Sequence, residues 1–116
     1  MYSLTSANRY YLYLGFVRMN LGIDGLFKII RSQMKELSPI SGDIFLFFGK
    51  NRQSVKILRW DGEGFLLYYK RLEGGCFELP TFTPQTGNYE ISYQVLSFIL
   101  NGVSLKSVRL RKRFRI

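Results

Sequence analysis

The side chains best suited to chemistry in this sequence are cations set among aromatic rings. Lys50 and Arg52 fall in a short polar loop, Lys56 and Arg59 follow it, and Lys70 and Arg71 close the next apolar run. Trp60, Tyr68 and Tyr69 interleave with them. Positive groups beside aromatic planes suit a single-stranded nucleic-acid platform, since cations attract phosphates and rings stack on bases. Aromatics that alternate inward have a plainer role as core, and that is the first reading of Trp60. A second cationic set ends the chain: Arg109, Arg111, Lys112, Arg113 and Arg115, spaced by Val108, Leu110, Phe114 and Ile116. It reads as an arm that contacts a phosphate backbone, with an edge strand or a plain tail as the other readings.

Residues for catalysis are sparse. The chain has no histidine, the commonest general base and metal ligand. Cys76 is the one cysteine and has no histidine to activate it. Its acidic residues are Asp24, Glu36, Asp43, Asp61, Glu63, Glu73, Glu78 and Glu90. Asp61 and Glu63 share one turn and together could hold a divalent ion, as a nuclease requires. The turn accounts for Asp61 equally well, and a third carboxylate would have to converge on the pair. The expectation is a protein without enzymatic activity, metal, cofactor or small-molecule substrate.

A net charge of +9 over 116 residues points to a polyanionic partner, nucleic acid before an anionic membrane surface. The 47% apolar content excludes a wholly disordered chain, and the length suits one core. A single cysteine cannot form an internal disulfide, which suits a reducing compartment. No apolar run approaches the roughly 18 residues of a membrane span, and the N-terminus lacks a signal-peptide pattern. The expectation is a soluble, cytoplasmic protein.

The cations must be positioned by strands. Asp61-Gly62-Glu63-Gly64 lies between two apolar, β-branched or aromatic runs, a hairpin signal because such turns need positive φ. Gly49–Gln53 and Glu73-Gly74-Gly75 are further turns. Together they predict a four-stranded antiparallel meander: Asp43–Phe48, Ser54–Trp60, Phe65–Arg71 and Cys76–Leu79. Arg9–Leu14 reads as an N-terminal strand on an edge of that meander, after a loosely held Met1–Asn8. Ile23, Leu26, Phe27, Ile30, Met34 and Leu37 recur at helical spacing, so Gly22–Leu37 reads as a helix stopped by Pro39. Gly22 and Gly25 could cradle an anion there, but helix-to-strand packing explains them better. Thr81–Asn88 reads as a loop. A second helix, Ser92–Asn101, has Ser92 as N-cap and Gly102 at its C-terminus. The expected fold is α+β: a mostly antiparallel, twisted sheet with both helices on one face. The single domain is expected to span residues 1–105, with residues 106–116 as the basic arm.

Several stretches resemble one known family. They are Arg18-Met19-Asn20-Leu21-Gly22-Ile23-Asp24-Gly25-Leu26, Gly42–Phe47, Val55–Phe65 with Trp60-Asp61-Gly62, and Tyr69-Lys70-Arg71-Leu72-Glu73, with Phe77 and Pro80. Over residues 9 to 105 they resemble the accessory proteins of insertion-sequence family sixty-six, called Orf-two-like or TnpB. Unrelated, far longer RNA-guided nucleases share the latter name. The resemblance implies a role in transposition beside a separate DDE-type transposase of the same element, with DNA and transposase as partners. It implies no established biochemical activity. The family usually has Asp-Met-Arg-Lys-Gly before Phe-Asp-Gly-Leu; here Arg18, Asn20 and Leu21 replace Asp, Arg and Lys. If that cluster contacts DNA or a partner, this copy is weakened there. The rival to DNA binding is a protein–protein adaptor that assists the transposase without touching DNA.

Overall fold

The computed structural model describes residues 4–80 and 88–101. In chain order the elements are β1 (Tyr10–Phe16), α1 (Ile23–Gln33), β2 (Ile44–Phe48), β3 (Ser54–Trp60), β4 (Phe65–Arg71), β5 (Asn88–Ile91) and α2 (Tyr93–Leu100). The strands form one sheet in the order β4-β3-β2-β1-β5. The fold is α+β, and the sheet is mixed.

β2, β3 and β4 form the expected meander, with Ile44 opposite Arg59 and Trp60 opposite Phe65. It has three strands, not four. Cys76–Leu79 is not a strand; it is held instead by Phe77, whose N–H donates to the Arg52 carbonyl at 2.6 Å. The Phe77 ring is fully buried and meets Phe48 edge-on at 5.6 Å. The remaining strand is β5, at the end of the expected loop and in the three residues ahead of the expected second helix, and it pairs antiparallel with β1.

β1 does lie on an edge of the meander, but parallel to β2, with Tyr10 opposite Ile44. Parallel neighbours cannot be joined by a tight turn, so α1 lies in the crossover between them. The ladder continues past β1, where the Val17 N–H donates to the Phe48 carbonyl at 3.0 Å.

The two helices lie on opposite faces of the sheet, not on one. Alternation along β1 and β2 sends Tyr11, Phe45 and Phe47 to α1, where Leu26, Ile30 and Met34 cover them. Tyr10, Leu12, Ile44, Leu46 and Phe48 point the other way, to Val95, Leu96 and Ile99 of α2. β2 is therefore buried along its whole length, as a central strand covered on both sides must be. α1 is shorter than its apolar stripe, which continues through buried Met34 to half-buried Leu37. Ser92 caps α2 as expected, accepting from the Val95 N–H at 3.1 Å. The start of the described chain is tied down: Thr5 and Asn8 form a turn whose Thr5 carbonyl accepts from Tyr10 Oη at 2.7 Å.

Candidate nucleic-acid interface

Strand register gathers five of the six predicted sheet cations at one end. Lys50 and Arg52 occupy the β2–β3 hairpin, Lys56 stands two residues into β3, and Lys70 and Arg71 end β4 beside Ser54 and Val55. Arg18 joins them, on the stretch that Val17 ties to β2. The sixth, Arg59, stands apart at the far end of β3, opposite Ile44 and Leu66. Near it lie Asp43, Asp61, Glu63 and Glu90 at the matching ends of their elements. Cations thus predominate at the hairpin end of the sheet, while the far end mixes Arg9 and Arg59 with these carboxylates, and an uneven potential of this kind orients an approaching polyanion.

The hairpin that presents Lys50 and Arg52 is rigidly built. Gly49 N–H donates to the Ser54 carbonyl at 3.1 Å and Arg52 N–H to the Gly49 carbonyl at 2.9 Å. Asn51 Oδ1 accepts from the Gln53 N–H at 3.1 Å, the local side-chain bond that lets Asn shape turns. Arg52 adopts φ 58°, a left-handed conformation uncommon outside glycine. Its carbonyl is thereby aimed at Phe77, while its side chain is exposed.

The sheet cations do not share one face. Alternation places Lys56, Tyr69 and Arg71 on the α1 side, and Arg59 and Lys70 on the α2 side. On the α1 side Lys56 Nζ sits 5.5 Å from the Tyr69 ring centroid and donates to the Leu21 carbonyl at 2.6 Å. Tyr69 is 52% exposed, and its hydroxyl is 3.4 Å from Ser54 Oγ. Its ring stands beside Lys56 and is open to solvent. On the α2 side Lys70 Nζ donates to the carbonyl of Leu100, the last residue of α2, at 2.9 Å. Tyr68 is half-buried against that core, and Trp60, also half-buried, meets Phe65 edge-on at 5.0 Å.

Asp61 is committed to its turn. Its Oδ1 accepts from the Glu63 and Gly64 N–H groups, both at 2.9 Å, and these bonds hold its carboxyl below the usual carboxylate range. Gly62 takes φ 101° in the same turn. Among the described residues, no three His, Cys, Asp or Glu side chains group so as to hold a metal ion. Cys76 is exposed.

The other motif positions also have structural duties. Gly22 is the N-cap of α1 without a side-chain bond, Asp24 lies in its first turn, and Leu26 is fully buried. A Cβ on Gly25 would come within 2.8 Å of the Leu21 side chain, whereas one on Gly22 would meet nothing. Leu72 packs against the α2-side core and donates its N–H to the Gln53 carbonyl at 2.8 Å, ahead of exposed Glu73. The predicted cations Arg109, Arg111, Lys112, Arg113 and Arg115 lie outside the described residues, as does Gly102.

One pairing escaped sequence reasoning. Arg9 grips Glu90 with two bonds, Nε to Oε2 at 3.0 Å and Nη2 to Oε1 at 3.1 Å, and the Glu90 bond raises the Arg9 pKa. The two are 81 residues apart, and only the β1–β5 pairing brings them together. No local pattern announces it.

Similarity to known sequences places this chain in a family. Among the described residues no helix is long and apolar enough to cross a membrane. The chain is 32% identical over 95 residues to the uncharacterized protein y4hO of Sinorhizobium fredii, covering 82% of this chain and 80% of that one. It is 31% identical over 88 residues to the uncharacterized protein y4jC of the same organism, covering 76% and 73%. No solved structure matches. The profile of the IS66 Orf2-like proteins matches residues 8–110, nearly the whole chain, with the helix start, both hairpins and the Tyr69–Glu73 strand end inside it. The chain belongs to the IS66 Orf2-like family, and with it to the accessory proteins of transposition.

Proposed function

We propose that this protein assists transposition as a cytoplasmic, non-catalytic DNA-binding partner of its element's transposase. The observation that carries the reading is the gathering of Arg18, Lys50, Arg52, Lys56 and Arg71 at one end of the sheet, with exposed Tyr69 beside Lys56. Cations held on strands and a braced hairpin keep fixed spacings, so they can orient a phosphate backbone, while Tyr69 offers a base a surface to stack on. The terminal cations Arg109, Arg111, Lys112, Arg113 and Arg115 add affinity without reading sequence.

A protein–protein adaptor remains the second reading, favoured by one observation. Lys56 and Lys70, two of the predicted phosphate contacts, already donate to backbone carbonyls within the fold. Binding of the purified protein to duplex and single-stranded DNA across a salt series separates the two. DNA binding predicts a log–log slope of about −0.9 per phosphate neutralised on duplex and about −0.7 on single strands. No binding at low salt, with the transposase still co-purifying, supports the adaptor.

A further inference from the structure

The β4 strand is an edge of the sheet, with only β3 beside it among the described residues. Among the described residues no strand covers its outer side, which runs for seven residues with no proline and an unbroken register. Edges of this kind are templates for another strand, and soluble proteins usually blunt them. The other edge, β5, is only four residues long.

The hydrogen bonds at both ends of β4 tell which backbone groups face out. Leu72 N–H donates to Gln53, and Gly64 accepts from the Asp61 N–H, so even-numbered residues of β4 bond to β3. Alternation in an antiparallel ladder then turns the N–H and C=O of Phe65, Leu67, Tyr69 and Arg71 outward. Only registers that set these odd-numbered residues opposite one another can satisfy them.

We propose that two copies of this chain pair antiparallel through their β4 edges, with Leu67 facing Leu67 on the dyad. Charge and the length of paired strand together select this register. It sets Phe65 opposite Tyr69 and brings Arg71, at the end of β4, level with Glu63 in the turn ahead of the other copy's β4, twice by symmetry, at the two ends of the interface. Moving the dyad to Tyr68 sets Glu63 against Glu73 and leaves Arg71 across from Phe65. Moving it to Leu66 sets Arg71 against Asp61 but pairs only residues 65–67 of β4. Arg71 and Glu63 are both exposed in the single chain, so each is accessible to a second copy. The assembly is a continuous ten-stranded sheet, and it does not depend on the DNA-binding reading.

Sedimentation equilibrium on the nucleic-acid-free full chain at physiological salt tests this. The expected result is a reversible dimer, with Arg71→Glu or Glu63→Arg alone raising its dissociation constant about tenfold or more through like-charge contacts. The double reversal, Arg71→Glu with Glu63→Arg, restores the dimer. Circular dichroism confirms that the variants fold; should Arg71→Glu fail to, Glu63→Arg, in an exposed turn, gives the same reading. A full chain that stays monomeric across the micromolar range overturns the proposal. So does a dimer indifferent to either reversal, or a double variant no tighter than the singles.

Discussion

Lys70 Nζ lies 2.9 Å from the carbonyl oxygen of Leu100, so a cation at the end of β4 closes the C-terminus of α2. The last carbonyls of a helix lack intrahelical donors and carry its negative dipole end, which a lysine satisfies on both counts. This contact lashes a helix from one end of the chain to a strand from its middle.

Replacing Lys70 with Met should therefore lower stability, by about 0.5 kcal/mol for a partly solvated contact of this kind. Urea denaturation measures it. If Lys70 instead serves mainly to bind phosphate, the midpoint will not move while DNA affinity falls.

Lys56 should matter more to the fold. Its ammonium is partly buried, holds the Leu21 carbonyl just ahead of α1 and lies over Tyr69. Lys56→Met leaves that carbonyl without its charged donor, at a cost of about 1–2 kcal/mol in chemical denaturation. Tyr69→Leu should cost less, about 0.5–1 kcal/mol for its contacts with Lys56 and Ser54, and weaken single-stranded DNA binding more than duplex binding, because only unpaired bases offer a face to stack.

Arg52 supplies a cleaner test of charge. Its φ of 58° is strained for arginine and natural for glycine. Arg52→Gly should keep the hairpin, hold or raise stability by about 0.5 kcal/mol, and still reduce the salt slope of DNA binding by roughly one phosphate. Arg52→Ala removes the same charge without relieving the backbone, so the pair separates electrostatics from strain. By the same logic Gly62→Ala, at φ 101°, should destabilise by about 1 kcal/mol.

Tyr10 gives the protein an alkaline limit. Burial, with Tyr93 beside it, pushes its phenol up to about 12. The folded pKa stands above the unfolded value near 10, so its contribution is whole below pH ~10 and is lost as pH rises from there toward 12. Tyr10→Phe should lose the 2.7 Å bond to Thr5 and about 1 kcal/mol at neutral pH. It should also flatten the decline of melting temperature above pH ~10.

Local chemistry made much of this fold legible. The Asp61–Gly64 and Gly49–Gln53 turns, the three strands they join, the α1 stripe and the Ser92 cap all depend on residues within a few positions of one another. Two expectations failed where the deciding partner was distant. Cys76–Leu79 has strand-forming residues, but its anchor is the pocket under Phe48 and the Arg52 carbonyl. Asn88–Ile91 carries a weak signal and becomes a strand because β1 offers it a ladder. The opposite placement of the helices did leave a trace, in the unbroken run Ile44-Phe45-Leu46-Phe47-Phe48. A strand with one wet face alternates, and five apolar residues in succession need cover on both sides.

The candidate interface divides in the same way. Sequence alone determined which side chains are cationic and that several lie on adjacent strands or their loop. Tertiary structure decided that Arg59 stands at the far end from Arg52, that Lys56 and Arg71 share a face with Tyr69, and that Lys70 turns to α2. The reason is geometric. Spacing along the chain fixes a residue's face only relative to its own strand, whereas register and layer order, set by burial of the whole core, fix where that face points.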